Sequence, residues 1–352
     1  MAGNFMEKAR QPGRCVASRM LCGLWRCLRP ITPASGTALV EKSFSDDGES
    51  EMEVEYGYIS TESTDSLTDS ILDQRNALCS NYQREDVYEI SHHMITLLEN
   101  GKLFQAPIKT GTGRILDIGT GTGLWAIDVA DFYPSLEVIG TDLIPLQPAS
   151  VPPNSKFVID DAENLWTYQR DGFELVHLRN LAGSIRSFEN LYKQAFQAIA
   201  PDGWVEHFEL DFPIRSATNN DSLPECHPLN AWVNALVQAG DQSGLTFRIT
   251  QDGRMREQIQ KAGFVDVVEK TWKVPIGDWP TDPTLKQVGR YSVEFLSQSM
   301  VDMALCADEV LGWGGAKTQT LVQNARSALK NEPSRLYYTA LCVYGRKPVR
   351  AA

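Results

Sequence analysis

The chain has 352 residues, 42% of them hydrophobic, and a formal net charge of −12. That apolar content is enough for one large domain or two ordinary ones, and the acidic balance excludes broad, sequence-independent binding to nucleic-acid phosphates, which needs a basic face. Seven scattered cysteines without a Cys-x-x-Cys pair spell neither a disulfide framework nor a zinc site and suit a reducing compartment. No apolar run approaches the roughly 18 residues of a membrane-spanning helix.

Residues 1–40 carry Lys8, Arg10, Arg14, Arg19, Arg26 and Arg29 against a single acid, Glu7. The reading is a disordered basic arm, with a mitochondrial presequence as the alternative; Pro12 and Gly13 interrupt any early helix. Residues 41–70 switch to an acidic, Ser/Thr-rich composition that buries too little apolar surface to offset ordering, so disorder is expected. The same stretch is either a solvated linker or a docking tail.

Order is expected from about residue 84. In EDVYEISHHMITLLENG, Val87, Ile90, Met94 and Leu97 recur at helical spacing and Gly101 is the stop. A strand follows at 114–119 (RILDIG), then a helix at 124–134, a second strand at 136–143, a third at 156–161 and a fourth at 173–180. An amphipathic helix over 188–203 with a Pro-Asp-Gly exit leads to a fifth strand at 204–211. Strands alternating with helices predict a doubly wound α/β sheet, parallel through its crossovers. Beyond residue 212 the chain is loop-rich, with a helix around NAWVNALVQAG, a helix at 253–264, a strand at 265–274, two helices within 284–331 and a last strand at 335–348. The final pair of strands is expected to form an antiparallel hairpin. The domain is therefore bounded at 84–348, with substrate-cap insertions at about 212–250 and 284–331.

The most informative stretch is ILDIGTGTGLWAID, residues 115–128. Glycine is favoured where backbone takes positive φ or comes close to a ligand, and a strand-to-helix turn aims free N–H groups at negative groups. A dinucleotide fingerprint would read G-x-G-x-x-G. Here Gly119, Gly121 and Gly123 give G-x-G-x-G, and Leu124 stands where the third dinucleotide glycine would fall. A nicotinamide-dependent dehydrogenase is disfavoured on that ground.

With Asp117 two residues before Gly119, the form D-x-G-x-G-x-G resembles the first motif of class I S-adenosylmethionine-dependent methyltransferases. The resemblance implies a Rossmann-like sheet, mostly parallel with an antiparallel last strand, and S-adenosyl-L-methionine as cofactor. It further implies that Asp117 orients the methionine part and that Gly119, Thr120, Gly121 and Gly123 make room for it. Asp142, followed by Leu143, would take both ribose hydroxyls; a carboxylate suits this because it only accepts. Asp161 and Ala162 would meet the adenine, with Asp160 as a rival for that role. Further down, GKLFQAPI (101–108), VIGTDLIPLQPASVPPNSKFVIDDAE, FELVHLRNLAGSI and PDGWVEHFELD are similar to the fungal LaeA-like methyltransferases of secondary metabolism. That likeness covers roughly residues 71–348. Members of the group usually carry an Asn-Gly-Arg-Arg-Tyr-like stretch before the first helix; here SILDQRNALCSNYQREDV leads almost directly into it.

In such a sheet ligands bind beyond the carboxyl ends of the strands. His177, at the end of the fourth strand, is the candidate base because its reference pKa lies near neutrality; the alternative is a hydrogen-bonded structural histidine. Glu209 and Asp211 alternate along the fifth strand and either bind an acceptor amine or hydroxyl or stand as solvated rim charges. Arg179 either holds an acidic group bidentately or makes a surface ion pair. Trp125 either packs near the methionine end or fills the helix–sheet core. Trp232, Phe247, Trp279, Tyr291, Phe295 and Trp313 are available for an apolar acceptor pocket, core packing being the default. His227 is a lone loop histidine, and no metal-ligand spacing is present. These readings converge on methyl transfer to the oxygen or nitrogen of a small secondary metabolite, without nucleic-acid or membrane partners, in the cytoplasm (alternatively the nucleus). The rival is a LaeA-like regulator acting through a protein partner.

Overall fold

The computed structural model describes residues 84–218, 221–331 and 335–349; the basic and acidic stretches before residue 71 lie outside the described residues. The first helix, α1 (Arg84–Leu98), buries Val87, Met94, Ile95 and Leu98, a stripe at helical spacing. It ends where Asn100 (φ 57°) and Gly101 (φ 78°) take left-handed backbone.

The strands are β1 (Gly113–Ile118), β2 (Leu136–Asp142), β3 (Ser155–Ile159), β4 (Phe173–Arg179), β5 (Ile199–Ser216), β6 (Val265–Pro275) and β7 (Leu336–Arg346). They form one sheet in the order β3-β2-β1-β4-β5-β7-β6. The first five are joined in parallel, and β7 runs antiparallel between β5 and β6. β1, β2 and β4 are buried over most of their length, as strands covered on both faces are. The intervening helices are α2 (Leu124–Phe132), α3 (Phe188–Ala198), α4 (Pro228–Ser243), α5 (Arg254–Lys261), α6 (Pro283–Leu311) and α7 (Gly315–Asn331). One face of the sheet packs on α1, α2, α4, α6 and α7 around Ile115, Trp125, Leu175, Phe208, Trp232 and Leu296. The other packs on α3 and α5 around Leu116, Val176, Leu191, Tyr192, Val205 and Ile259.

Two expectations are corrected. The final pair of strands is antiparallel, but it is no hairpin: α6 and α7 lie between β6 and β7 in the chain. β7 is instead slotted between β5 and β6, which removes an exposed edge from β5. In addition, α3 stops at Ala198, and β5 begins at Ile199 rather than after Gly203, pairing Ile199 with Phe173 across a register shift. β5 also continues to Ser216, because β7 supplies partners for Arg215 and Ser216 beyond a second shift.

Candidate functional site

The carboxyl ends of β1, β2 and β4 open onto one cleft. Its walls comprise Tyr88, Ser91 and His92 from α1, the turn Gly119–Gly121, Thr141 to Leu143, Asp160 to Glu163, and Arg179 to Leu181 with Ser184 and Ile185. The turn exists because Gly119 (φ 70°) and Gly121 (φ 58°) take left-handed backbone. A side chain at Gly121 would also crowd the Tyr88 ring, 3.0 Å from the nearest atom. So α1 closes directly over the glycine turn.

Asp142 ends β2. One of its oxygens accepts from Gly121 N (2.8 Å) and the other from Ile144 N (3.2 Å). The Leu143 N–H also acts on this carboxylate, which only accepts. Burial raises its pKa above the ordinary carboxylate value against the pull of those N–H groups, with Asp117 adding to the rise. Asp161 accepts from Glu163 N (3.0 Å) and Asp160 from Asp161 N (2.8 Å). Both line the cleft with Ala162.

Asp117 lies beneath the turn rather than in the cleft wall. It accepts from Thr120 Oγ1 (2.6 Å) and from His177 Nδ1 (2.7 Å), and it is almost wholly buried. It therefore shapes the turn from below. Gly123 is also outside the cleft: its missing side chain makes room for Phe157, 2.6 Å away from a Cβ placed there, and Gln147. Trp125 is buried, stacks on the His177 ring (3.6 Å between centroids, 4° between planes) and donates from Nε1 to Leu103 O (2.6 Å). Of its two readings, the helix–sheet core is the one the geometry matches.

The two candidate catalytic residues do not reach the cleft. His177 is 2% exposed, clamped between Asp117 and Trp125, and burial pushes its pKa down despite the Asp117 carboxylate. Since Asp117 only accepts, the proton sits on Nδ1. Glu209 is 1% exposed. Its Oε1 accepts from Leu181 N (2.5 Å), Ala182 N (3.0 Å) and His207 Nε2 (2.7 Å), and Tyr192 stands behind at 2.7 Å from His207 Nδ1. That chain holds the loop after β4 in place. Strand ends alone cannot distinguish a cleft-facing side chain from one pointing into a covered face. Asp211 is likewise buried, bonded to Arg215, Thr250 and Thr339. Trp232, Phe247 and Phe295 are buried; like Trp279, Tyr291 and Trp313, they are absent from the cleft wall. His227 caps α4, accepting from Leu229 N at 3.3 Å.

Tyr88, Ser91 and His92 were not identified from the sequence. They sit at i, i+3 and i+4, a second stripe beside the apolar one, and that spacing was the available signal. Asn180, by contrast, was recognisable as a strand-end residue; it carries φ 55° in the cleft wall, an uncommon backbone for a residue with a side chain.

The strand order, the glycine turn and the acids at the ends of β2 and β3 define a class I S-adenosylmethionine-dependent methyltransferase. A model described as a methyltransferase domain matches residues 90–267. The chain is 34% identical over 272 residues to the secondary metabolism regulator LAE1 of Cochliobolus heterostrophus, covering 75% of this chain and 87% of that one. It is 32% identical to the methyltransferase pytC of Aspergillus terreus, covering 76% and 81%. It is 31% identical to the protein-methionine methyltransferase laeA of Emericella nidulans, covering 76% and 71%. The chain belongs to the LaeA-like methyltransferases. When bound, the cofactor supplies a methyl group already activated by its sulfonium; orientation and exclusion of water fall to the protein.

Proposed function

We propose that the chain methylates the oxygen or nitrogen of a small secondary metabolite, with the cofactor held by the Gly119–Gly121 turn, Asp142, Leu143, Asp161 and Ala162. The carrying observation is that these residues share one cleft, whose lining also offers neutral hydrogen-bonding side chains: Ser91, Asn180 and Ser184. Asp117, Gly123 and Trp125 support that turn from outside the cleft. His177 and Glu209 act as positioning residues, the first under the turn and the second behind the loop after β4. His92 lines the cleft, but both its ring nitrogens are engaged, by Arg179 and Asp128. The transfer then rests on orientation, which suits an acceptor that needs no strong base. Residues 84–348 act as the catalytic domain, with the cap segments at about 212–250 and 284–331 bordering the acceptor's approach. Among the described residues no helix is long and apolar enough to cross a membrane; a cytoplasmic setting, or alternatively a nuclear one, accompanies this reading.

The second reading is regulation through a protein partner, favoured by the similarity to proteins named as secondary metabolism regulators. Full-length protein incubated with methyl-tritiated cofactor, a panel of phenolic and amine metabolites, and fungal protein extract separates the two. Label in a small molecule without extract supports the first reading. Label only in polypeptide, or turnover only with extract, supports the second.

A further inference from the structure

Among the residues lining the cleft, four are acidic (Asp142, Asp160, Asp161 and Glu163), and Arg179 is the one lysine or arginine. S-adenosylmethionine carries a single anionic group, the carboxylate of its methionyl end. In a cleft walled by carboxylates, that group is favoured only beside a fixed cation.

Arg179 is in the right place. β4 pairs in parallel with β1, with Leu178 opposite Ile118, so Arg179 follows on beside Gly119 and the turn. Asp142 and Asp160 with Asp161 stand on the other side of β1, at the ends of β2 and β3. The two sets bracket the glycine turn and match a ligand with a diol and purine at one end and an amino acid at the other.

Arg179 is also braced and uncommitted. One guanidinium nitrogen lies 3.2 Å from His92 Nδ1. Arginine only donates, so Nδ1 accepts and the ring proton sits on Nε2, which donates to Asp128 Oδ2 at 2.8 Å. This two-step brace reaches from α1 and α2. Among the described residues it is the only hydrogen bond of the Arg179 side chain, and no carboxylate lies within ion-pair distance. Asp117, Glu99 and Asp128 act on it only at longer range. Its remaining donors are unclaimed in a side chain that lines the cleft.

We infer that Arg179, braced by His92 and Asp128, anchors the carboxylate of the cofactor's methionyl end. The inference rests on the reading of the cleft as the cofactor site. The experiment is calorimetric titration of the full chain with two ligands. S-adenosylhomocysteine carries the carboxylate; 5′-methylthioadenosine shares the adenosine and the thioether and lacks it. Arg179→Gln is expected to weaken S-adenosylhomocysteine by about tenfold or more, leave 5′-methylthioadenosine unchanged, and respond less to added salt. Arg179→Lys keeps the charge without the bidentate fork and should fall between. Asp142→Ala should weaken both ligands alike. Equal losses on both ligands in the Arg179 variants, or no loss on either, would overturn the assignment. If Arg179→Gln does not fold, Arg179→Lys decides by the same comparison. Failure of the folded wild-type chain to bind either ligand would instead overturn the cofactor reading, and this assignment with it.

Discussion

Asp142 and His177 are both polar residues near the end of a strand, yet the fold gives them opposite duties. Asp142 is half-buried, faces the cleft and accepts from Gly121 N and Ile144 N. Asp142→Ala is expected to weaken S-adenosylmethionine binding by about tenfold or more, roughly 1.4 kcal/mol, as read by calorimetry. His177 faces inward, and its removal leaves the buried Asp117 carboxylate short of a donor and Trp125 over a hole. His177→Ala should cost about 2–4 kcal/mol of folding stability in urea titrations. A variant of unchanged stability but lost turnover would contradict the positioning role and return His177 to catalysis.

At the scale of elements, α1 is the piece that makes the cleft. It carries Tyr88, Ser91 and His92, while the segment after it is tied to its surroundings, the sheet included, by buried and half-buried bonds. Glu206 on β5 accepts from Gln105 N (2.7 Å) and Ala106 N (2.6 Å), Trp125 donates to Leu103 O, and Gln105 donates to Glu99 (3.0 Å) and accepts from Lys270 (2.7 Å). Stretch 101–108, singled out by resemblance, is thus the strap holding the lid helix to β5 and β6. The long α6 packs against α1, with Tyr291 edge-on to His93 at 4.9 Å. α6 is itself seated by Gly289, whose O accepts from Gly277 N at 3.0 Å; any Cβ at position 289 would collide with the Gly277 carbonyl. Gly289→Ala should therefore destabilise the fold by about 1–3 kcal/mol through α6. Cofactor affinity per folded molecule should stay within about twofold if the shift is absorbed locally. Thermal unfolding with and without S-adenosylhomocysteine measures both.

For the whole molecule, the same buried acids set a pH dependence. Burial pushes Glu206 up to about 8, with the neighbouring Glu99 adding to it, and burial lifts Glu99 to about 7. Both folded values lie above the ordinary 4.5. The folded state therefore binds more protons, and the stability from their neutral forms is present below about 4.5 and lost as pH rises to about 8. Glu206→Gln keeps an acceptor for Gln105 N and Ala106 N without a titratable proton. It should flatten the fall in urea midpoint between pH 5 and 8. An identical slope in wild type and variant would contradict the assignment.

The alternation of strands and helices, the glycine turn and the acid at the end of β2 were legible in the sequence, because periodicity and backbone demands are local properties of a few consecutive residues. So was the likeness that led to the cofactor. Which strand-end side chains line the cleft was not legible, since His177 and Arg179 share one face of β4 and only the packing of Trp125 and α1 separates a buried clamp from a cleft-lining cation. The slotting of β7 between β5 and β6, and the strap that closes α1 over the turn, were decided by contacts between residues far apart in the chain, such as Val265 with Arg346 or Glu206 with Gln105 and Ala106. Long-range pairings leave no pattern in the sequence around either partner, so only the tertiary structure could decide them.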